Sequence, residues 1–193
     1  MSPKHCENSL ACIWIYQTVL GAVNRKRAGW FDLKSETNNW NYDELWDEIV
    51  AQSHGGKHSI HGPRHWDRVR RFGLKIAESS GADLLVVKLF ALFHDSRREN
   101  DGHDPGHGLR GAEFAKQLRE EGRFHLEDGQ FEKLFYACQW HTDETHHQDA
   151  TIGTCWDADR LDLGRVRIKP KEKYLNTEAA KKALVIGPDK FLD

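Results

Sequence analysis

Histidine and aspartate are grouped along this chain in a way that suggests metal chemistry. The 193 residues include 12 histidines, the side chain that titrates nearest neutral pH and most often binds metals. His61 and His65 lie four apart, on one face of a helix if that helix already includes His61. The doublet His94-Asp95 directly follows the most apolar stretch of the sequence. His103, Asp104 and His107 fall in the next polar loop, and His141, His146 and His147 follow a helical segment ending at Trp140. Asp157 and Asp159 flank Ala158 at the expected start of a further helix. His5, His54, His58 and His125 stand apart and read as surface residues. A helix-end His-Asp pair alone is an ordinary cap. Repeated at several helix ends, the pattern is a ligand set, and imidazole with carboxylate suits a divalent transition metal (Mn, Zn, Fe, Ni or Co) better than Ca²⁺.

Helices must position these groups. Tyr42, Leu45, Trp46, Ile49 and Val50 recur at helical spacing and stop at Ser53-His-Gly-Gly56. Pro63 suits a first helical turn, Trp66, Val69, Phe72 and Ile76 line one face, and Gly81 closes that helix. Residues 82–93 are apolar nearly all round and predict a buried central helix. Residues 96–108 are a polar loop punctuated by Gly and Pro. Leu109–Glu120, Leu126–Trp140 and Thr154–Leu163 predict three more helices. A first helix is expected around Leu10–Leu20, ahead of a polar connection over 28–41. Leu184-Val-Ile186 is the one brief strand-like run, and no alternating pattern of useful length occurs. The expectation is an all-α, single-domain helical bundle over 1–193, with no linker to divide it.

Composition narrows the function classes. Hydrophobic residues are 38% and charged residues 30%, values of an ordinary globular chain. With 28 basic and 30 acidic residues the net charge is −2, so no global field favours nucleic acid or an anionic membrane. The apolar run Leu10–Val23 is too short to span a bilayer. Cys6, Cys12, Cys138 and Cys155 form no C-x-x-C pair, which favours a reducing cytoplasm.

Three segments together resemble the HD-domain metal-dependent phosphohydrolases. His65-Trp-Asp-Arg-Val69 is similar to their H-x-x-R-V opening, Phe90-Ala-Leu-Phe-His94-Asp95 to their apolar helix ending in HD, and Trp156-Asp-Ala-Asp159-Arg-Leu161 to their closing aspartate segment. The resemblance covers about residues 58–168, leaving 1–57 as an N-terminal helical extension. It implies His65, His94, Asp95 and Asp159 as metal ligands. His107, opening His107-Gly-Leu-Arg-Gly111, and the helix-end His141 resemble the further ligands of two-metal members, so one or two metals per chain are implied. Thr142 follows His141 and no Gly-Tyr-Pro segment is present, unlike the cyclic-dinucleotide branch.

The chemistry implied is hydrolysis of a phosphomonoester or phosphodiester of a small metabolite such as a nucleotide, by a metal-activated water. Asp95 would ligate the metal and orient the water, and Asp101 would protonate the leaving alkoxide. His61 would support His65 or bind phosphate, and Arg97, Arg98 and Arg110 would take phosphoryl oxygens. The rivals are a non-catalytic, nucleotide-sensing metal module and a di-iron oxygenase on the same scaffold. The partner expected is a small phosphorylated substrate, with no nucleic acid or membrane.

Overall fold

Short polar side chains set the helix boundaries. The computed structural model describes residues 40–193, which form one compact unit. Asn41 caps α1 (Tyr42–Gln52) by accepting from the Asp43 amide at 2.8 Å. Pro63 opens α2 (Pro63–Ser80), and Gly81 closes it at φ +72°, in the left-handed region where glycine is favoured. Asp83 caps α3 (Leu84–Phe93) by accepting from the amides of Leu85 and Val86. Helices α4 (His107–Glu120) and α5 (Asp128–Trp140) follow the polar loop and pack on each other. Asp149 caps α6 (Ala150–Leu161), which continues into a 3₁₀ turn over Asp162–Val166. Helices α7 (Glu178–Ile186) and α8 (Pro188–Leu192) complete an all-α fold, with no strand among the described residues.

Helix α3 lies at the centre. Seven of its ten residues are buried, and α2, α4, α5 and α6 all pack against it. Leu84, Leu85 and Lys88, on one side of its first turns, are the exceptions; from Leu89 to Phe93 every residue is buried, so α3 can present chemistry only at its end. Trp66 of α2 is buried edge-on against Trp46 of α1, at 6.0 Å between ring centroids. Gly73 of α2 lets α3 approach closely: a Cβ there would lie 2.5 Å from Val87 Cγ1.

Several boundaries differ from the sequence expectation. Helix α4 starts two residues before Leu109, at His107, and α5 starts two after Leu126, at Asp128. Helix α6 starts at Ala150 rather than Thr154, because Asp149 supplies the cap; Asp157 and Asp159 therefore sit in its last turns, not at its start. Leu184-Val-Ile186 is the last turn of α7. The helix expected over Leu10–Leu20, and the 28–39 part of the connection, lie outside the described residues.

Candidate metal centre

The central helix ends in the first candidate ligands. Helix α3 runs out at Phe93, and His94 keeps helical backbone geometry, its amide donating to Phe90 O at 3.0 Å. Its ring is fully buried and stacks on Phe90 at 4.9 Å. Nδ1 reaches the carbonyls of Phe90 and Ala91, each at 3.1 Å. A carbonyl only accepts, so Nδ1 carries the proton and Nε2 presents a lone pair. From the first turn of α2, His65 Nε2 lies 3.1 Å from that nitrogen. Asp159, in the last turn of α6, places Oδ1 3.2 Å from His65 Nε2 and 3.9 Å from His94 Nε2. Asp95 Oδ2 lies 3.6 Å from His65 Nε2 and 3.8 Å from His94 Nε2. Three helix ends thus bring donor atoms of His94, Asp95 and Asp159 within 3.6 Å of His65 Nε2.

A second group adjoins the first. His107 opens α4 and His141 caps the C-terminus of α5. Their Nδ1 atoms donate to the carbonyls of Asp104 (2.6 Å) and Cys138 (2.7 Å), and their Nε2 atoms face each other at 3.1 Å. Asp95 Oδ1 is 3.2 Å from His107 Nε2 and 3.7 Å from His141 Nε2. The approach needs glycine. A Cβ at Gly108 would lie 2.4 Å from Cys138 O, and one at Gly111 would lie 2.4 Å from Phe93 O. The groups His65–His94–Asp95 and Asp95–His107–His141 are each buried and close enough to hold a metal ion, and they share Asp95.

The electrostatics fit a cation at each group. Facing acceptor nitrogens repel unless a proton or a metal lies between them. Burial pushes His94 down to about 3, keeping its ring neutral. Burial would raise the Asp95 carboxyl, but His94, His107, His141 and His61 outweigh it and hold Asp95 well below the usual carboxylate range. Asp159 is depressed in the same way, chiefly by His65 working against burial. Burial lowers His65 and His141, yet the carboxylates of Asp159 and Asp162 and of Asp95, respectively, raise them overall. A buried carboxylate, Asp95, and a partly buried one, Asp159, among four imidazoles therefore draw positive charge, and the donor set suits divalent transition ions.

The remaining candidates divide. His61 lies just before α2, not on it, and its Nδ1 is 2.9 Å from Asp95 Oδ2. Arg98 donates from Nε to Asp95 Oδ1 at 3.1 Å and from Nη1 to the carbonyls of Asn100 and Gly102. Asp101 accepts from the Ser59 hydroxyl. His61, Asp95, Arg98 and Asp101 line one cavity of about 170 Å³. Arg97 is turned elsewhere: its guanidinium stacks 3.4 Å over the Phe114 ring and bonds Gln52. Arg110 is spent on Asp104 Oδ1 (2.6 Å) and the carbonyls of Arg97 and Pro105. These two arginines fasten the 94–107 loop rather than reach the centre. Asp157 accepts from Asn176 and Thr177, tying α6 to the start of α7.

Two contributors stand outside the sequence pattern. Asp162, fully buried in the 3₁₀ turn after α6, accepts from His65 Nδ1 at 2.8 Å and from Arg68 Nε. It holds the His65 tautomer that aims Nε2 at the centre. Arg165, one turn on, reaches His61 Nδ1 at 3.1 Å and donates to Ile60 O at 2.8 Å. A carboxylate one turn beyond a helix-end ligand is the only clue the sequence holds to either.

Comparison with solved structures identifies the architecture. A crystal structure from an uncultured Thermotogales bacterium, described as a predicted HD superfamily hydrolase, superposes with a TM-score of 0.61. It is 24% identical, and the match covers 83% of this chain and 92% of that one. The fold is of the HD type. No family model matches the sequence, and no curated protein matches it either. In this HD-type bundle the two ligand groups sit where the ends of α2 to α6 meet, around the end of the central helix. No helix among the described residues is long and apolar enough to cross a membrane.

Proposed function

We propose that this chain is a metal-dependent phosphohydrolase that cleaves a phosphomonoester or phosphodiester of a small metabolite such as a nucleotide. The observation that carries the reading is Asp95, whose two oxygens face two separate histidine pairs in one buried centre. His65, His94, Asp95 and Asp159 would hold one divalent ion, and Asp95, His107 and His141 a second. Bound there, such ions supply positive charge to phosphoryl oxygens and lower the pKa of a water toward about 7.

The chain's own groups do the rest. His61 and Arg98 fix the Asp95 carboxylate from two sides, so its oxygens keep their aim. Arg98 also lines the adjoining cavity, where a guanidinium N–H suits a phosphoryl oxygen. Asp101, on the same cavity and bonded to Ser59, would take the proton released by the attacking water and return it to the leaving alkoxide. Arg97 and Arg110 take no part. Cys138 and Cys155 are free and buried, in keeping with a reducing, cytoplasmic setting.

The test is a phosphate-release screen over nucleotides, sugar phosphates and diesters with Mn²⁺, Co²⁺, Ni²⁺ and Mg²⁺. At least one substrate should turn over, and Asp95→Asn should reduce its release by at least ~10²-fold with the helical spectrum intact. Metal-loaded, folded protein that releases no phosphate from any of them would favour the nucleotide-sensing module. The paired His groups also fit a di-iron oxygenase; iron as the native metal, with a coloured protein, would turn the reading that way.

A further inference from the structure

A cavity of about 270 Å³ shares His65 with the candidate metal centre and is lined also by His58, Ser59, Arg64, Arg68, Asp162 and Arg165. Its charge is unbalanced. Asp162 is the one carboxylate in the lining, and it is already engaged by His65 and Arg68. Arg68 is further satisfied by Asp189 at 2.7 Å. Arg165 comes no nearer to the Asp162 carboxylate than 3.8 Å; it donates to Ile60 O and Asp162 O, and its Nη2 lies 3.1 Å from His61 Nδ1. Arg64 makes no ion pair or hydrogen bond with any described residue. The first turn of α2, which carries Arg64, has no acidic side chain and no side-chain cap. Arg68 thus takes up both nearby carboxylates, Asp162 and Asp189, and the guanidiniums of Arg64 and Arg165 line a concave space without a carboxylate of their own.

The cavity is also within reach of the reacting group. A single imidazole nitrogen, His61 Nδ1, separates Arg165 Nη2 (3.1 Å) from Asp95 Oδ2 (2.9 Å). His65 both lines the cavity and belongs to the first ligand group. A molecule with one phosphoryl group at the metal centre would therefore carry a second substituent toward Arg165 and Arg64 across a short spacer. Guanidinium forks bind phosphate or carboxylate there. We infer that the substrate is a phosphoester bearing a second anionic group, a phosphate or carboxylate held in this arginine-lined cavity. This rests on the phosphohydrolase reading and specifies its substrate class.

Binding tests it without requiring turnover. Manganese-loaded protein, dialysed free of unbound metal, is titrated calorimetrically with propane-1,3-bisphosphonate, 3-phosphonopropanoate and propylphosphonate. The two probes with a second anionic group should bind at least about tenfold tighter than propylphosphonate, the effect of one charge-assisted hydrogen bond. Which of the two binds tighter identifies the second anion as phosphate or carboxylate. Arg64→Gln should shrink that advantage to under about threefold at unchanged metal content, because Arg64 is exposed and ties nothing together. Arg165→Gln should do the same but also disturb His61, so Arg64 is the cleaner probe. Equal affinity for all three probes, or an advantage that survives Arg64→Gln, would overturn the inference while leaving hydrolysis of an ester with no second anionic group intact. A failed phosphate-release screen, by contrast, would remove the parent reading whatever the titration shows.

Discussion

Each oxygen of Asp95 serves a different histidine pair, so a change at this residue reaches both groups at once. Asp95→Asn keeps the shape and removes the charge, and should therefore weaken both metals. His107→Ala, which touches one group only, should weaken one. Asp162 is a subtler case. Asp162→Ala leaves the His65 Nδ1–H and Arg68 without their shared acceptor, and should lower metal affinity by about 10–100-fold, read by competition with a coloured chelator. The two kinds of residue differ in how far the sequence revealed them. His94-Asp95 is visible because a helix apolar nearly all round has no packing use for two ligand-type side chains at its end. Asp162 is not, because its partner His65 is 97 positions away and only the folded 3₁₀ turn brings them together. Arg97 and Arg98 show the same limit. They are neighbours in sequence, yet one lies on Phe114 and the other on Asp95, since the turn after His94 sends successive side chains to opposite sides.

Among the elements, α3 is the one whose character decides the rest. A helix buried over most of its surface must be approached closely by its neighbours; α4 does so through Gly111, while Gly108 lets α4 approach the end of α5. Gly111→Ala places a Cβ 2.4 Å from Phe93 O, a backbone atom that cannot rotate away. It should destabilise the protein by about 1–3 kcal/mol, measured by denaturant unfolding, and should loosen the group built from His107 and His141 first. The central helix depends equally on its cap. Asp83 accepts from two amides of α3 and from Gln130 of α5 at 2.6 Å, so Asp83→Ala should cost about 1 kcal/mol. The periodicity of α1, α2 and α3 was readable because each has a clear apolar face or none that is polar. The start of α6 was not: residues 150–154 are small and mixed, and the cap at Asp149 decided the boundary.

At the scale of the whole molecule, the caps couple stability to pH. Burial would raise the Asp83 and Asp149 carboxyls, but Gln130 for the first, Lys133 for the second and the capped amides for both outweigh it, holding both below the ordinary value. A carboxyl depressed by folding stabilises fully above its unfolded pKa of about 3.9 and loses that contribution as pH falls through the folded value. The denaturation midpoint should therefore fall on acidification below about pH 4. Asp83→Asn, which keeps an acceptor that does not titrate, should show a shallower fall. A steeper one would mean that the acid sensitivity lies elsewhere. The central claim, though, concerns the cations the fold is arranged to hold. Its most direct measurement is the transition-metal content per chain of protein purified without chelator, for the wild type and Asp95→Asn side by side. The wild type should hold about two equivalents, one for each His–Asp group, and the variant clearly less than one. A folded wild type that retains no transition metal at neutral pH, or an Asp95→Asn protein that keeps the full complement, would contradict it.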